Sequence, residues 1–211
     1  MKIGIIIYHK NIYSIYEKRW VDVCLASIRA QTHSDFVVHE LCYSDQPEQL
    51  WEGSNYEHRP LENHIFAMNH IIDKAFEQGC DVVANTNLDD FFSPVRLERQ
   101  IKAINDGYAL VSCNFSHVDG NDQVIREMLF HDRDIATELF NNHNIISHPG
   151  VMMTKGFWDR NKYYVTNQLG YEDMRLWQKA VYNGEKMVIL PEILLHYRIH
   201  DNQTGRIHPV Q

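Results

Sequence analysis

The feature that most constrains this chain is a repeating alternation of strand-like and helix-like segments. Lys2 to Tyr8 is a β-branched apolar run, and the segment after it sets Trp20, Val23, Cys24, Ser27 and Ile28 at helical spacing. Phe36 to Tyr43 reads as a second strand. A helix is expected from about Glu62 to Gln78, with Ile65, Met68, Ile72, Ala75 and Phe76 inward and Gly79 as its stop. Asp81 to Asn87 then gives a third strand. Ser93 and Pro94 have the chemistry of an N-cap and first-turn proline for a helix carrying Leu97, Ile101 and Ile104, closed by Gly107, and Tyr108 to Phe115 returns as a fourth strand. Such alternation predicts an α/β fold, a mostly parallel central sheet with helices on both faces. Sheets of that kind bind ligands beyond the carboxyl ends of their strands. The rule directs attention to Tyr8 and His9, to Ser44 and Asp45, and to Asn87 through Asp90.

The second half is less regular. A hairpin strand is expected around Val124 to Phe130, a short helix near Ile135 to Asn142, an apolar stretch at Val151 to Met153, a helix from Glu172 to Tyr182 and a last strand from Met187 to Leu190. At 211 residues, with no repeat or low-complexity linker, the chain is expected to form one domain. Asp and Glu number 28 against 20 Lys and Arg, a net charge of -8, so the surface repels nucleic acid and anionic membranes. A phosphate-bearing ligand must then be met locally, by a metal or a few placed groups. The four cysteines form no CxxC pair, which leaves a structural zinc site without support and fits free thiols in a reducing compartment. No apolar run approaches the roughly 20 residues of a membrane span, and a cytoplasmic location is expected. The sequons at Asn114 and Asn202 are then chance matches.

Three polar clusters could carry chemistry. In Asn85-Thr-Asn-Leu-Asp-Asp90, adjacent carboxylates at a strand end repel unless a cation neutralises them, and hard divalent cations take such oxygen donors. The competing reading is a capping loop for the next helix. Glu172 and Asp173 open a helix whose Met174, Trp177, Ala180 and Val181 form its apolar face, an ordinary helix-start composition taken by itself. Leu195-His-Tyr-Arg-Ile-His200 offers His200 as a neutral imidazole ligand and Arg198 as a diphosphate clamp.

Taken in order, these phrases resemble the nucleotide-sugar glycosyltransferases of family 2, which have the GT-A fold. The phrases are Leu25-Ala-Ser-Ile-Arg-Ala-Gln-Thr32, Asn69, Asn87-Leu-Asp-Asp90, Pro94-Val-Arg-Leu-Glu-Arg-Gln100, Glu172-Asp-Met-Arg-Leu-Trp177 and Tyr197-Arg-Ile-His200. The resemblance runs from about Lys2 to Thr204. It implies a nucleotide-binding half over about 1–115 and an acceptor half over about 116–211. Asn87 and Asp89 would stand for the family's DxD, with Asn87 near the ribose, Asp89 on a Mn²⁺ or Mg²⁺ ion that bridges the donor diphosphate, and Asp90 in support. His200 would complete the metal site, Asp173 would act as general base with Glu172 positioning hydroxyls, and displacement by one base implies inversion. Tyr8, His9, Asp45, His64 and Asn69 would surround the uridine of a UDP-sugar. His148, Trp158 and Trp177, with Tyr163 and Tyr164, are acceptor-side candidates, although apolar-face tryptophans are also ordinary core residues. The implied partners are a UDP-sugar carrying a hexose or deoxyhexose and a glycan or glycoprotein hydroxyl. The chain departs from the family at Asn87, which replaces an acid, and at Tyr43-Ser-Asp-Gln46, where two acids and a Gly-Ser pair are usual. Little sequence follows His200, as expected of one module of a longer polypeptide.

Other readings stay open at this stage. A nucleotidyltransferase needs a glycine-rich loop after the first strand, and Tyr8-His-Lys-Asn-Ile-Tyr13 has no glycine. A dinucleotide oxidoreductase needs GxGxxG, which follows no strand. A metal-dependent phosphoesterase, or a non-catalytic module of the same fold, would use the same residues.

Overall fold

The computed structural model describes residues 1–162, 164 and 171–203. Its strands are β1 (Ile3–His9), β2 (Phe36–Cys42), β3 (Asn55–His58), β4 (Val82–Asn85), β5 (Phe91–Phe92), β6 (Leu110–Val118), β7 (Val124–Met128), β8 (Met152–Thr154) and β9 (Met187–Arg198). The helices are α1 (Ile12–Ile15), α2 (Lys18–Arg29), α3 (His64–Glu77), α4 (Arg96–Asn105), α5 (Ile135–Phe140), α6 (Lys155–Asn161) and α7 (Glu172–Tyr182). One sheet runs in the order β3-β2-β1-β4-β8-β6-β9-β5, with β7 on β6. The expected α/β architecture is borne out.

The sheet is buried on both faces because its strands alternate. Ile3, Ile5 and Ile7 of β1 pack with Val21, Cys24, Leu25 and Ile28 of α2 and with Leu97 and Ile104 of α4. Ile6 points the other way, into a core built on α3, α6 and α7. Parallel pairing holds β3-β2-β1-β4 together and joins β6 to β9. Strand β8 enters antiparallel between β4 and β6. Hydrophobic periodicity carries no strand direction, so this reversal leaves no trace in the sequence.

Several boundaries differ from the sequence reading. Strand β9 continues past Leu190 to Arg198, absorbing Pro191 through irregular register against β6 near Cys113 to Phe115. That extension carries the Tyr-Arg phrase onto the sheet. Helix α4 begins at Arg96, and Ser93 accepts the Arg96 amide through its carbonyl at 3.0 Å rather than capping with its hydroxyl. The helix stops agree with expectation, since Gly79 and Gly107 take φ of 87° and 96°, a region only glycine enters without strain. Asn63 caps α3 by accepting from the amides of Ile65 and Phe66.

The Pro94 to Gln100 phrase acquires a structural meaning. The buried Arg96 guanidinium donates to Asn85 O at 2.9 Å and to Val151 O at 3.3 Å, and its Nε donates to Gln100 Oε1 at 3.0 Å. Gln100 in turn donates to Val111 O and Gly150 O. Two side chains one helical turn apart thereby tie the end of β4 to β6 and to the turn before β8, and fix where residues 87–90 leave the sheet.

Candidate active site

A cleft of about 790 Å³ opens beyond the carboxyl ends of β1 and β4. Tyr8, His9, Tyr43, Asn87 and Leu88 form one wall. Glu172 and Asp173 in the first turn of α7, with Asn144, His148 and His64, form the other. Strand ends and a helix N-terminus converge here because sheet topology places them on one side.

On the first wall, the Tyr8 hydroxyl donates to Asn87 Oδ1 at 3.4 Å, and burial pushes the Tyr8 phenol up from its usual range. His9 Nε2 lies 3.1 Å from Glu40 Oε1, and both side chains are enclosed. Glu40 also accepts from the amides of Leu50 and Trp51 and from the Ser54 hydroxyl; against burial, the His9 contact first and then these donors hold it below the usual carboxylate range. It is an anchor for the loop after β2. Asp45, in that loop, is exposed and outside the cleft lining. Asn69 likewise serves the scaffold, with its amide exchanging hydrogen bonds with Tyr164 N and O at 3.0 and 3.1 Å.

Asp89, Asp90 and His200 are outside the cleft lining, the two aspartates following its Asn87 and Leu88 in the chain. His200 Nε2 stands 3.0 Å from Asp89 Oδ2, with its ring between Tyr16 and Trp20. Asp89 Oδ1, Asp90 Oδ2 and His200 Nδ1 are buried with no hydrogen-bond partner among the described residues. Burial, then the neighbouring Asp89, pushes the Asp90 carboxyl far up, while its Oδ1 accepts from the Arg198 amide at 2.8 Å. Arg198 does not reach the cleft. Its guanidinium is fully enclosed, donating to Asp89 O and Asp119 O at 2.8 Å each and pairing with Asp122 at 2.6 Å. The structure therefore corrects the expected diphosphate clamp to a pin for the aspartate loop.

On the second wall, His64 Nε2 lies 3.2 Å from Glu172 Oε1, linking the N-termini of α3 and α7. Burial, then Glu172, pushes the Asp173 carboxyl up to about 6. Asn144 donates to Asp173 Oδ2 at 3.0 Å. His148, in a short turn at His148–Gly150, is contacted by Asn85 Nδ2 at 3.0 Å and the Tyr164 hydroxyl at 3.2 Å, and burial pushes it down to about 4. Trp158 and Trp177 are fully buried and pack in the core, Trp158 donating to Asp73 and Trp177 standing edge-on to Tyr164. They offer no face to a sugar, because α6 and α7 turn those sides onto the sheet. Tyr164 is buried with them, and Tyr163 lies outside the described residues.

The sequence reading missed Asn144, Lys10, Tyr16, Tyr43 and Tyr197, all of which line the cleft. Tyr43 was within reach as the residue after β2. Asn144 sits in a loop with no periodic signal.

No protein-family model matches the chain. In sequence it is similar to the O-antigen biosynthesis glycosyltransferase WbnJ of Escherichia coli, at 24% identity over 90% of this chain and 78% of WbnJ. It is also similar to an uncharacterized glycosyltransferase, MJ1057 of Methanocaldococcus jannaschii, at 28% identity over 59% of this chain and 45% of that protein. In fold it is similar to S. aureus TarS 1–349 in complex with UDP-GlcNAc, with a TM-score of 0.74 at 15% identity over all of this chain and 62% of that one. The TarS complex with UDP gives a TM-score of 0.69 at 14% identity, over 95% and 61% of the two chains. The chain thus spans under two thirds of MJ1057 and of TarS 1–349. Likeness in sequence to two glycosyltransferases supports a glycosyltransferase, and the fold is one shared with TarS.

Proposed function

We propose that the chain transfers a hexose or deoxyhexose from a UDP-sugar to a hydroxyl of a glycan acceptor, with inversion, in the presence of a divalent cation. The observation that carries this reading is one cleft with two unlike ends: strand-end aromatic and amide groups at Tyr8, Tyr43 and Asn87, and paired carboxylates at Glu172 and Asp173. The first end suits a nucleoside and the second a reacting hydroxyl. TarS, of like fold, holds UDP-GlcNAc and UDP, which supports a UDP-sugar as donor. The reading treats residues 1–211 as one domain with a donor half and an acceptor half.

The residues near the aspartates fit a Mn²⁺ or Mg²⁺ ion. Asp89 and His200 bring an oxygen and an imidazole nitrogen 3.0 Å apart, beside buried polar atoms without partners. Among the described residues no three His, Cys, Asp or Glu gather as a metal site, so an ion there would need oxygen ligands from substrate phosphate and water as well. Bound there, the ion would supply positive charge to the departing diphosphate.

The remaining work falls to the chain itself. The acceptor oxygen attacks the anomeric carbon, the bond to the diphosphate breaks, its electron pair leaves with UDP, and the hydroxyl proton passes to Asp173. A carboxylate raised to about 6 is still mostly ionised at neutral pH and close enough in proton affinity to act as a base. Glu172, held by His64, orients hydroxyls beside it. Tyr8 and Asn87, joined at 3.4 Å, present one polar edge to ribose, His9 extends that wall, and His148 faces the acceptor side.

Calorimetric titration of UDP with and without Mn²⁺, on the native chain and on Asp89→Ala, tests the donor site. Binding that needs both the ion and Asp89 is the expected result. UDP binding indifferent to both would remove the ion from this site. Asp173→Asn should lose sugar transfer and keep UDP binding, and transfer at the native rate would remove Asp173 from the role of base.

A further inference from the structure

We propose that Asn144 is a positioning residue for Asp173, its side-chain amide holding the carboxylate toward the cleft and keeping it ionised at neutral pH. The inference rests on the reading of Asp173 as base, and its test separates the two.

The geometry begins with the loop between α5 and β8. Asn142 takes a left-handed φ of 60°, turning the chain back toward the cleft, and Asn144 follows at its lining. The Asn144 side chain has two ends with different partners. Its Oδ1 accepts from the Ile146 amide at 3.2 Å, closing a local turn, so its Nδ2 must be the end that faces Asp173 Oδ2 at 3.0 Å. The turn thus removes the ambiguity of amide orientation. Asp173 Oδ1 meets the amide of Met174 at 2.6 Å, so each carboxylate oxygen has a donor and the group is held in one plane.

The electrostatic consequence follows from what else faces the carboxylate. Glu172 on the same helix opposes its ionisation; Tyr164 and Tyr197 of β9 also interact with it as acidic groups, and His64 engages Glu172 from α3. Burial is the largest influence and it too favours the protonated acid. The donors that favour the anion are the Met174 amide, Asn144 and the residue's own backbone. Asn144 is the one side chain among them, and so the one that substitution can remove.

Two variants divide structure from tuning. Asn144→Asp keeps an acceptor for the Ile146 amide, preserving the turn, yet exchanges the donor for a negative oxygen. Asn144→Ala removes both. The probe is the side-chain carboxyl ¹³C resonance of Asp173, assigned by its loss in Asp173→Asn and followed against pH in each protein. The native midpoint should lie near 6. In Asn144→Ala it should rise by roughly one pH unit, the size of one hydrogen bond to a charged group, and in Asn144→Asp it should rise further. An Asn144→Asp midpoint equal to the native one would overturn the proposal, whatever Asn144→Ala does to folding. The base reading is judged apart, by release of UDP from UDP-GlcNAc in Asp173→Asn. Native release there, with the Asn144 midpoints shifted as expected, would remove the base and leave the positioning contact standing.

Discussion

Arg198→Met is the substitution that most directly separates scaffold from ligand contact. The guanidinium is fully buried and donates to Asp89 O and Asp119 O, so methionine fills the stem but leaves the buried Asp89 carbonyl without that donor, while Asp119 O keeps the Asp122 amide at 3.1 Å. The orphaned Asp89 acceptor costs about 1–3 kcal/mol, and Asp119 O, which keeps one donor, costs less. Asp122 loses less, because Arg19 still pairs with it and its side chain is 27% exposed. The stacking of the guanidinium over Trp20 at 5.1 Å is lost as well. The sum is about 3–5 kcal/mol, the range seen when one partner of a buried charged network is removed. Unfolding in urea should show that loss, with a melting temperature lower by about 10 °C at this chain length. UDP affinity should fall only as the Asp89 loop loosens. Native stability within about 1 kcal/mol, joined to a tenfold or greater loss of UDP affinity, would refute the reasoning and return the guanidinium to the diphosphate.

Three further outcomes follow from the same geometry. Because the Asp173 carboxyl is raised to about 6 in the folded state, the native chain binds the extra proton there, and stability falls as pH rises through the window between the unfolded value and 6. Asp173→Asn should therefore unfold later than the native chain at pH 7, by about 1–2 kcal/mol, and lose that advantage near pH 4; equal stability at both would contradict the raised value. Trp177→Phe removes a buried indole whose N–H has no partner among the described residues, so it should cost about 1–2 kcal/mol by thermal unfolding and leave the acceptor KM unchanged, whereas a tenfold KM change would return Trp177 to the site. Gly4 has room for no side chain, since a Cβ there would stand 3.0 Å from Cys80 Sγ and 3.3 Å from His39 Cδ2. Gly4→Ala should destabilise by about 1–3 kcal/mol, and adding Cys80→Ala should recover part of it in a double-mutant comparison.

The fold was most legible where one period governs a long segment. Helix α3 shows its buried face at Ile65, Met68, Ile72 and Phe76, and α7 was bounded to the residue, because packing and end signals agree there. Strand β3, with Asn55, Tyr56, Glu57 and His58, has no such pattern, since an edge strand with a mixed environment needs none. Strand β5 is two residues long, Phe91 and Phe92, and exists only because β9 runs beside it. Pro191 argued for a strand end at Leu190, yet the partner β6 accommodates it with a register shift. What the sequence left out was decided by neighbours that only the folded chain supplies.

In the site, residues at strand and helix ends were legible because topology gathers those ends, and Tyr8, His9, Asn87, Glu172 and Asp173 do converge. Charges were harder to read. Arg96 and Arg198 are buried and bonded mainly to backbone, and buried Glu40 is bonded to two amides and two side chains, each holding a loop that shapes the cleft. A charged side chain beside a motif suggests a ligand contact, but the same charge relieves orphaned carbonyls and amides where a loop leaves the sheet. With Arg96 and Arg198 used in that way, Lys10 is the one Lys or Arg among the described residues lining the cleft. A diphosphate entering it meets little fixed positive charge and two carboxylates, Glu172 and Asp173, on the far wall. The burial of Arg198 and the proposed divalent ion at Asp89 then belong to one reading: the positive charge that this protein keeps for its scaffold is the charge that the proposed ion would bring to the donor.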